Sequence, residues 1–235
     1  MIPAYNEENR LPCTLGRVFD YLHRQDYTYE VIVVENGSSD RTLELTREAA
    51  QAHPSLRAMH IEGRGKGLAV REGMLAAQGD YRFICDADLS MPIEEIAKFL
   101  PPALEGFDLA IGSREATGAV RYDEPAYRHW GGRLINLAIR ILILPGLQDT
   151  QCGFKCFRAQ AAEQLFQRQR LPGWSFDIEV LFLARRFDMK IREIPINWYY
   201  DSESKVSAVR DALKMIGDIL RIHFNARRGR YDLDT

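Results

Sequence analysis

Short apolar segments alternate with helical segments through the first half of the chain, and this alternation constrains the fold more than any other feature. The apolar segments are EVIVV (30–34), LRAMHI (56–61), YRFIC (81–85) and DLAIG (108–112). Helices are expected near 8–24, 40–53, 66–78 and 93–105. Strands that alternate with helices are typical of a parallel sheet covered by helices. We therefore predict an α/β fold with a mostly parallel central sheet and helices on both faces.

A polar or glycine-rich turn follows each predicted strand. The four turns are ENGSSD, EGRGKG, DADLSMP and GSREATG. Ligands of open α/β sheets bind outside the carboxyl ends of the strands. We therefore expect these turns to line one cleft that carries the chemistry. The opening MIPAYNEE leaves two residues for a strand before Pro3, so a first strand there is expected to be short or to begin upstream.

The alternation loosens after residue 113. A strand is expected in IREIPINWYY, and a long helix near 205–228 is indicated by apolar residues at helical spacing. Those residues are Val206, Val209, Leu213, Ile216, Leu220 and Phe224. No repeat, low-complexity tract or linker divides the chain, so we predict one domain over residues 1–235.

Composition is that of an ordinary globular protein, with 46% hydrophobic residues, 27% charged residues and a net charge of -2. A near-neutral balance argues against bulk nucleic-acid binding. The four cysteines lack the paired CxxC spacing of a zinc site, so we expect reduced thiols in a cytosolic protein. No apolar run approaches the roughly 20 residues that span a bilayer, and no signal peptide is recognised.

Two carboxylates, Asp86 and Asp88, end the predicted strand YRFIC. Side chains two apart in a strand point the same way, and close like charges repel unless something positive lies between them. A divalent cation, a shared proton or a basic partner would satisfy this pair, whereas in a plain surface turn Asp88 would cap the helix near Pro92. Carboxylates suit Mg²⁺ or Mn²⁺ with phosphates completing the shell. Phosphate-compatible turns after the neighbouring strands favour the metal site.

The other turns add weaker signals of a phosphate ligand. In ENGSSDRT, Asp40 stands where it would cap a helix, and Glu35 stands where it would accept hydrogen bonds from a base or ribose. GRGKG offers backbone N–H groups and the cation Lys66 at a helix start, which suits a diphosphate. Its spacing is not that of a Walker A loop.

Several motifs, in order and spacing, resemble the family 2 glycosyltransferases of the A-type nucleotide-diphospho-sugar fold: PAYNEE, ENGSSD, GKG and DADLS. DTQCGFKCF (149–157), WSFDIEVL (174–181) and INWYYDSESKVS (196–207) resemble the dolichyl-phosphate β-glucosyltransferase branch. The resemblance covers essentially the whole chain. It implies UDP-glucose as donor, a polyprenyl phosphate as acceptor and inversion at the anomeric carbon. GDP-mannose as donor, or a nucleotide-sugar-binding module without turnover, are the alternatives.

The same resemblance implies a nucleotide-sugar-binding half (1–113) and an acceptor-binding half (114–235), and it assigns residues to each. Donor contacts are implied for Pro3, Tyr5, Glu7, Glu35, Asp40, Lys66 and Asp86, with Asp86 and Asp88 on the metal and diphosphate. Asp149 and Asp177 are implied to orient the sugar hydroxyls or the attacking group, although Asp177 would equally cap a helix. Two departures are Glu35-Asn36 in place of Asp-Asp, and Ser90 in place of a Gln that ligates the metal in mannosyl relatives.

A lipid-phosphate acceptor would need cations rather than a general base, because a phosphate monoester is already ionised near neutral pH. The candidates are Arg114, Arg128, Arg133, Lys155 and Lys205, of which Arg114 and Lys205 are favoured because each lies beside a motif. Each alone would otherwise be a solvated surface cation.

The lipid tail of such an acceptor would need an apolar surface. LINLAIRILILPGL (134–147) and the cluster ARRGR (226–230) suit a membrane interface, or else are a buried helix and a solvated tail. We expect a peripheral protein at the cytosolic membrane face, with no nucleic-acid partner and no prediction of oligomeric state.

Overall fold

The computed structural model describes residues 1–125, 139, 142–201 and 208–232, with the side chains of 208–213 excepted. The strands in this part of the chain are β1 (Ile2–Ala4), β2 (Val31–Glu35), β3 (Leu56–His60), β4 (Tyr81–Ile84), β5 (Leu109–Ser113), β6 (Val120–Tyr122), β7 (Lys155–Arg158), β8 (Ile191–Pro195) and β9 (Asn197–Tyr199). The helices are α1 (Leu11–Leu22), α2 (Thr42–Ala52), α3 (Lys66–Ala76), α4 (Ala159–Phe166), α5 (Phe176–Arg186) and α6 (Ala208–Arg227), with a 3₁₀ helix at Ile93–Phe99.

The central sheet is built from two hydrogen-bonded groups of strands, ordered β1-β2-β3 and β4-β7-β5-β8. Met1 joins them, because its amino group donates to the carbonyl of Phe83 at 2.5 Å and its carbonyl accepts from Cys85 N at 3.0 Å. The pairs β1–β2, β2–β3 and β5–β8 are parallel, whereas β7 runs antiparallel to both β4 and β5. The predicted α/β class is confirmed, with an antiparallel strand that the alternation did not predict.

Strand β7 comes from the second half of the chain and lies between two strands of the first half. Its sequence is KCFR, and no predicted helix directly precedes it. The alternation of strands and helices therefore did not indicate a strand there. The segment just before β7 therefore enters the sheet at the carboxyl end of β4, beside Asp86.

The four predicted strands of the first half all form within one residue of their expected ends. The helix expected over 93–105 is wrong in type and length, because it is a 3₁₀ helix that stops at Phe99. Leu100 adopts an extended conformation, and Pro101 and Pro102 follow it. Proline lacks the N–H that a helix needs, and the residue before proline avoids the helical conformation.

Hydrophobic clusters cover both faces of the sheet. Along β5, Ala110 packs in one cluster, whereas its neighbours Leu109 and Ile111 pack in another. Successive strand residues point to opposite faces, so the two clusters lie on opposite sides of the sheet. The first contains residues of α1, and the second contains residues of α3, α4, α5 and α6.

The C-terminal helix presents a second apolar face to solvent. Met215, Ile219 and Ile222 are buried against the core, whereas Ile216, Leu220 and Phe224 are 49%, 67% and 47% exposed. The exposed three stand four residues apart and share one side of the helix. Part of the apolar spacing that predicted the helix therefore belongs to an unburied stripe, which we call the α6 stripe (Ile216, Leu220 and Phe224).

Candidate active site

An ion pair joins the turns that follow β3 and β4. Lys66 Nζ lies 2.6 Å from Asp86 Oδ1 and 5.0 Å from the centroid of the Trp174 ring. Burial opposes the charge of Lys66, but the carboxylates of Asp86 and Asp177 hold its pKa above the ordinary value. The structure thus brings together the lysine and the first of the two acids that the sequence indicated.

Asp88 stands beside this pair at the cleft surface. Its Oδ1 accepts a hydrogen bond from Ser90 N at 2.9 Å, and no side chain caps the 3₁₀ helix that begins at Ile93. The alternative of Asp88 as a helix cap is therefore wrong. Partial desolvation and the neighbouring charge of Asp86 raise the pKa of Asp88. A cation near this carboxylate would relieve that repulsion.

The segment DTQCGFK (149–155) connects three charged groups of the site. Its first residue, Asp149, binds Arg114, and its last, Lys155, binds Asp177. Between them, Gly153 lies so close to Asp86 that a Cβ built on it would overlap Oδ2 of that carboxylate. This segment therefore packs directly against the carboxylate of Asp86.

Asp149 binds Arg114 through three hydrogen bonds. The guanidinium donates from Nε at 2.7 Å and from Nη2 at 2.9 Å, and the Arg114 backbone N–H donates at 3.0 Å. Burial of Asp149 opposes its ionisation, but the Arg114 charge and these bonds lower its pKa to about 2. Arg114 also lies over the Trp198 ring at 5.7 Å. Both carboxylate oxygens of Asp149 bind Arg114, so the structure gives Asp149 a positioning role in place of the expected contact with the sugar.

Lys155 and Asp177 form a buried pair. The Lys155 Nζ to Asp177 Oδ1 distance is 2.6 Å, and their side chains are 1% and 7% exposed. Lys155 also donates to the carbonyl of Cys152. Burial raises the pKa of Asp177 despite the charges of Lys155 and Lys66. The Lys155 ammonium is buried and paired, so Lys155 does not serve as the predicted phosphate-binding cation. The alternative in which Asp177 caps its helix is wrong, because no side chain caps α5.

The loop before α5 packs on the GRGKG turn. Leu68 N donates to the carbonyl of Pro172 at 3.1 Å, and a Cβ on Gly67 would lie 2.6 Å from the carbonyl of Leu171. Gly65 has φ +138°, in the region that favours glycine. This close approach places Trp174 above Lys66.

Buried Glu179 holds the same loop from below. It accepts hydrogen bonds from the backbone N–H groups of Arg170 and Leu171 and, at 2.6 Å, from the hydroxyl of Tyr231. Burial raises the pKa of Glu179. The chain beyond α6 therefore helps to shape the loop that covers Lys66.

The turns after β1 and β2 interlock. Asp40 accepts from Thr42 N at 3.0 Å and from Glu8 N at 3.2 Å, while Glu7 N donates to Thr42 Oγ1 at 2.8 Å. Burial of Asp40 acts to raise its pKa, but these hydrogen bonds hold it below the ordinary value. The Glu7 side chain lies 3.4 Å from Arg10. The N-cap of α2 is Arg41, and not Asp40 as predicted. Asp40, one residue earlier, still anchors the start of α2 through Thr42 N and also holds the first turn through Glu8 N.

Glu35 ends β2 and is buried. It accepts from Ser38 N, and its Oε2 lies 2.6 Å from Nδ1 of His60, whose side chain is 40% exposed. Burial opposes ionisation of Glu35, but these partners lower its pKa. His60 is therefore the member of this pair that is exposed to solvent.

The remaining predicted residues divide into two groups. Pro3 pairs with Val34 in the parallel register of β1 and β2, and Tyr5 follows with Arg64 5.5 Å from its ring centroid. Arg128, Arg133 and Lys205, predicted for the acceptor, lie outside the described residues, as does half of LINLAIRILILPGL. No helix of the described chain is long and apolar enough to cross a bilayer.

Asp86 and Asp88 offer two adjacent carboxylates to a divalent cation. Among the described residues, no cluster of three or more His, Cys, Asp or Glu side chains stands ready to enclose a metal. Mg²⁺ is commonly held by one or two carboxylates, with substrate phosphates and water completing its shell. Asp86 and Asp88 fit such a site. Ser90 does not supply a carboxylate. Its backbone N–H donates to Asp88, and its carbonyl accepts from Tyr199 N at 2.7 Å.

Sequence reasoning missed several residues that build the site. Gly153 lies in DTQCGFKCF and Trp174 in WSFDIEVL, but nothing in the local sequence showed which side chain each would contact. His60 lay at the end of a predicted strand, directly opposite Glu35 in the register of β2 and β3. That register could have pointed to the His60–Glu35 pair, because paired residues of neighbouring strands lie side by side.

Comparisons with known proteins agree with this architecture. Residues 1–166 match the model of Glycosyl transferase family 2. The chain is 31% identical over 238 residues to the dolichyl-phosphate β-glucosyltransferase of Dictyostelium discoideum, covering 95% of this chain and 73% of that protein. It is 31% identical over 252 residues to the human dolichyl-phosphate β-glucosyltransferase, covering 100% of this chain and 77% of that protein.

Solved structures show the same fold. Glucosyl-3-phosphoglycerate synthase from Mycobacterium tuberculosis, in complex with UDP, superposes with a TM-score of 0.65 at 21% identity, covering 94% of this chain and 78% of that one. The same synthase with Mn²⁺, UDP-glucose and phosphoglyceric acid gives 0.61 at 21% identity, covering 94% and 77%. With the match of the family model over most of the chain, the conclusion is that this protein is an enzyme belonging to glycosyl transferase family 2.

Proposed function

We propose that the protein transfers glucose from UDP-glucose to a polyprenyl phosphate, assisted by Mg²⁺ or Mn²⁺. The observation that carries this is the meeting of Lys66, Asp86 and Asp88 in the turns that follow β3 and β4. The names of the full-length relatives support glucose and a dolichyl-type acceptor. The synthase crystallised with Mn²⁺ and UDP-glucose supports the donor and the metal.

The leaving group is the chief chemical problem of this reaction. A divalent cation held by Asp86 and Asp88 would supply Lewis-acid neutralisation of the departing diphosphate. Lys66 adds a further positive charge at the same place. An oxygen of the acceptor phosphate attacks the anomeric carbon, the bond from that carbon to the diphosphate oxygen breaks, and its electron pair leaves with UDP. No proton needs to be removed from the nucleophile, because the phosphate is already ionised.

The acceptor is proposed to enter from the second half of the chain, with residues 1–113 binding the donor within one domain. Arg114 is the described cation best suited to the acceptor phosphate, since Asp149 fixes its orientation and its side chain stays 24% exposed. Arg forks bind phosphate oxygens in two-pronged fashion. Lys205 remains predicted for the same phosphate.

The α6 stripe is proposed as a membrane contact that brings the cleft to its lipid substrate. The exposed cations Lys214, Arg221 and Arg227 lie on the same helix as the stripe, and exposed Arg228 follows its end. An apolar stripe flanked by cations suits a surface of anionic lipids. Ser175 Oγ donates to Asp218 Oδ2 at 2.6 Å, so this helix is tied to the loop that carries exposed Trp174 beside Lys66.

A donor and acceptor screen by product mass tests the reaction. Purified protein is mixed with Mg²⁺, a short polyprenyl phosphate and either UDP-glucose or GDP-mannose. We expect a lipid-linked hexose from UDP-glucose. A product only from GDP-mannose would replace the donor, and UDP binding without product from any common donor would favour a binding module.

Vesicle flotation tests the membrane contact. We expect more protein on vesicles of phosphatidylcholine with phosphatidylglycerol than on phosphatidylcholine alone, and at least several-fold less binding for Leu220→Asp. Tyr27, a 39% exposed aromatic residue outside α6, provides the matched control Tyr27→Asp. Equal loss in both variants would contradict a contact through the stripe.

A further inference from the structure

The ion pair between Lys66 and Asp86 uses the carboxylate that the proposed metal requires. Lys66 Nζ sits 2.6 Å from Asp86 Oδ1, and the lysine side chain is only 14% exposed. On the other side, the backbone at Gly153 closes on Asp86 Oδ2. Asp86 therefore lies between an ammonium group and a closely packed glycine, and its side chain is 21% exposed.

The Lys66 ammonium lies among several carboxylates. Three carboxylates act on Lys66, those of Asp86, Asp177 and Asp88. Asp177 has its own partner in Lys155, at 2.6 Å. The group of five therefore carries one excess negative charge, and removing Lys66 from it without replacement would leave unpaired carboxylates in a largely buried place.

We propose that Lys66 closes the metal site until a nucleoside diphosphate arrives, and that it then moves from Asp86 to the diphosphate so that metal and nucleotide bind cooperatively. A metal ion alone must displace a buried ammonium from its carboxylate. A nucleoside diphosphate brings its own negative charge, which offers Lys66 a new partner and frees Asp86 for the cation. This inference rests on the proposed function and adds a coupling between the two ligands.

Cooperativity of this kind is reciprocal: a nucleotide that tightens metal binding is itself bound more tightly by the same factor when metal is present. Trp174 gives the movement an optical signal, because its ring lies 5.0 Å above Lys66 Nζ and is half exposed. Departure of the ammonium from this ring should alter the tryptophan environment. The chain has two other tryptophans, so the signal is assigned with Trp174→Phe.

The test measures Mn²⁺ binding by electron paramagnetic resonance of free Mn²⁺, with and without UDP, and needs neither acceptor nor turnover. In the wild type, UDP should tighten Mn²⁺ binding by about tenfold or more, within the usual range of coupling. Lys66→Met should bind Mn²⁺ alone more tightly than the wild type. UDP should then tighten Mn²⁺ binding by a clearly smaller factor than in the wild type, because the phosphates still ligate the metal but no lysine has to be displaced. Lys190→Met, which removes an exposed lysine remote from the cleft, should behave as the wild type.

The wild type and Lys66→Met each offer a result that would overturn the proposal. Mn²⁺ binding that is independent of UDP in the wild type would overturn the proposal without any variant, while leaving glucose transfer untouched. Lys66→Met that binds Mn²⁺ no more tightly than the wild type and keeps the UDP effect would overturn it as well. Lys66→Gln is the second variant should the first fail to fold. Protein that binds neither UDP nor Mn²⁺ would end both this proposal and the proposed function.

Discussion

The charged residues on the two sides of the cleft differ in their burial and in their ion-pair partners. On the donor side, Asp88 is exposed and Asp86 is held by a lysine that lies under the rim of the cleft. On the acceptor side, Lys155 and Arg114 are each bound to an internal acid, with Asp177 and Asp149 only 7% and 2% exposed. On the donor side, Asp88 therefore remains available to a ligand and Asp86 is held by a lysine that a ligand can displace, whereas the acceptor-side acids stabilise the architecture that presents Arg114.

The largest effect is expected on the donor side, at Asp88. Asp88→Asn keeps the shape of the side chain but removes the charge, so turnover should fall by on the order of a thousandfold, as when a principal electrostatic group is removed from an active site. The melting temperature should stay near that of the wild type, because Asp88 is exposed. Product formation by mass and thermal unfolding check the two parts.

The control for this variant is Asp20→Asn, an exposed acid on α1. It should retain full activity. Substantial activity of Asp88→Asn, or undiminished turnover of the wild type in EDTA, would remove the proposed metal from the account.

On the acceptor side, Lys155→Met should cost stability instead. It leaves the buried carboxylate of Asp177 without its partner, and breaking a buried pair in this way costs about 3–5 kcal/mol. Urea denaturation gives the free energy of unfolding. Adding Asp177→Leu should recover part of the loss, since no buried charge then remains. A loss below about 1 kcal/mol for Lys155→Met would show that the pair is not structural.

The Asp149–Arg114 pair predicts a pH dependence of stability. The folded pKa of Asp149 is about 2, below its ordinary value of 3.8. A depressed acid pKa stabilises the fold above the unfolded pKa, and this contribution disappears as the pH falls through the folded value. The wild type should therefore lose about 2 kcal/mol of stability between pH 4 and pH 2 that Asp149→Asn does not lose.

That difference is obtained from urea denaturation of both proteins across this pH range. If the free energies of unfolding of wild type and Asp149→Asn keep a constant difference from pH 4 to pH 2, the ion pair contributes nothing to the fold.

A smaller effect is expected where the two sides meet, at Gly153. Gly153→Ala would push a methyl group against Asp86, so Mn²⁺ affinity in the presence of UDP should fall by about tenfold, as for changes that misorient a metal ligand. Gly217→Ala is the matched control, because no atom lies within 4 Å of a Cβ at that helical position. It should leave binding unchanged and stabilise α6 by up to about 1 kcal/mol. Equal Mn²⁺ affinity in both variants would mean that Gly153 does not position Asp86.

Local sequence predicted the donor side better than the acceptor side, for a physical reason. Strands β2 to β5 and their turns follow one another along the chain, so parallel topology places Lys66 and Asp86 at the same edge of the sheet. Their direct contact also needs the turn after β3 to reach past β2 and β1, which lie between β3 and β4. Lys155 and Asp177 are both on motifs that sequence indicated, but their pairing depends on β7 entering the sheet antiparallel from the second half. The local sequence around a lysine or arginine does not show whether a buried acid already binds it.

The C-terminal helix illustrates a second limit. Apolar residues at helical spacing predicted α6, yet the face formed by Ile216, Leu220 and Phe224 is exposed, while Met215, Ile219 and Ile222 are buried. Periodicity identifies a helix and an apolar face, but only tertiary packing decides which face meets the core.

Crystals grown with Mn²⁺ and UDP test the central claim most directly, through the anomalous signal of manganese. The account predicts one strong peak within coordination distance of carboxylate oxygens of Asp86 and Asp88 and of the UDP phosphates, with Lys66 turned to the diphosphate. A peak elsewhere, or an intact Lys66–Asp86 pair beside bound UDP and Mn²⁺, would contradict it.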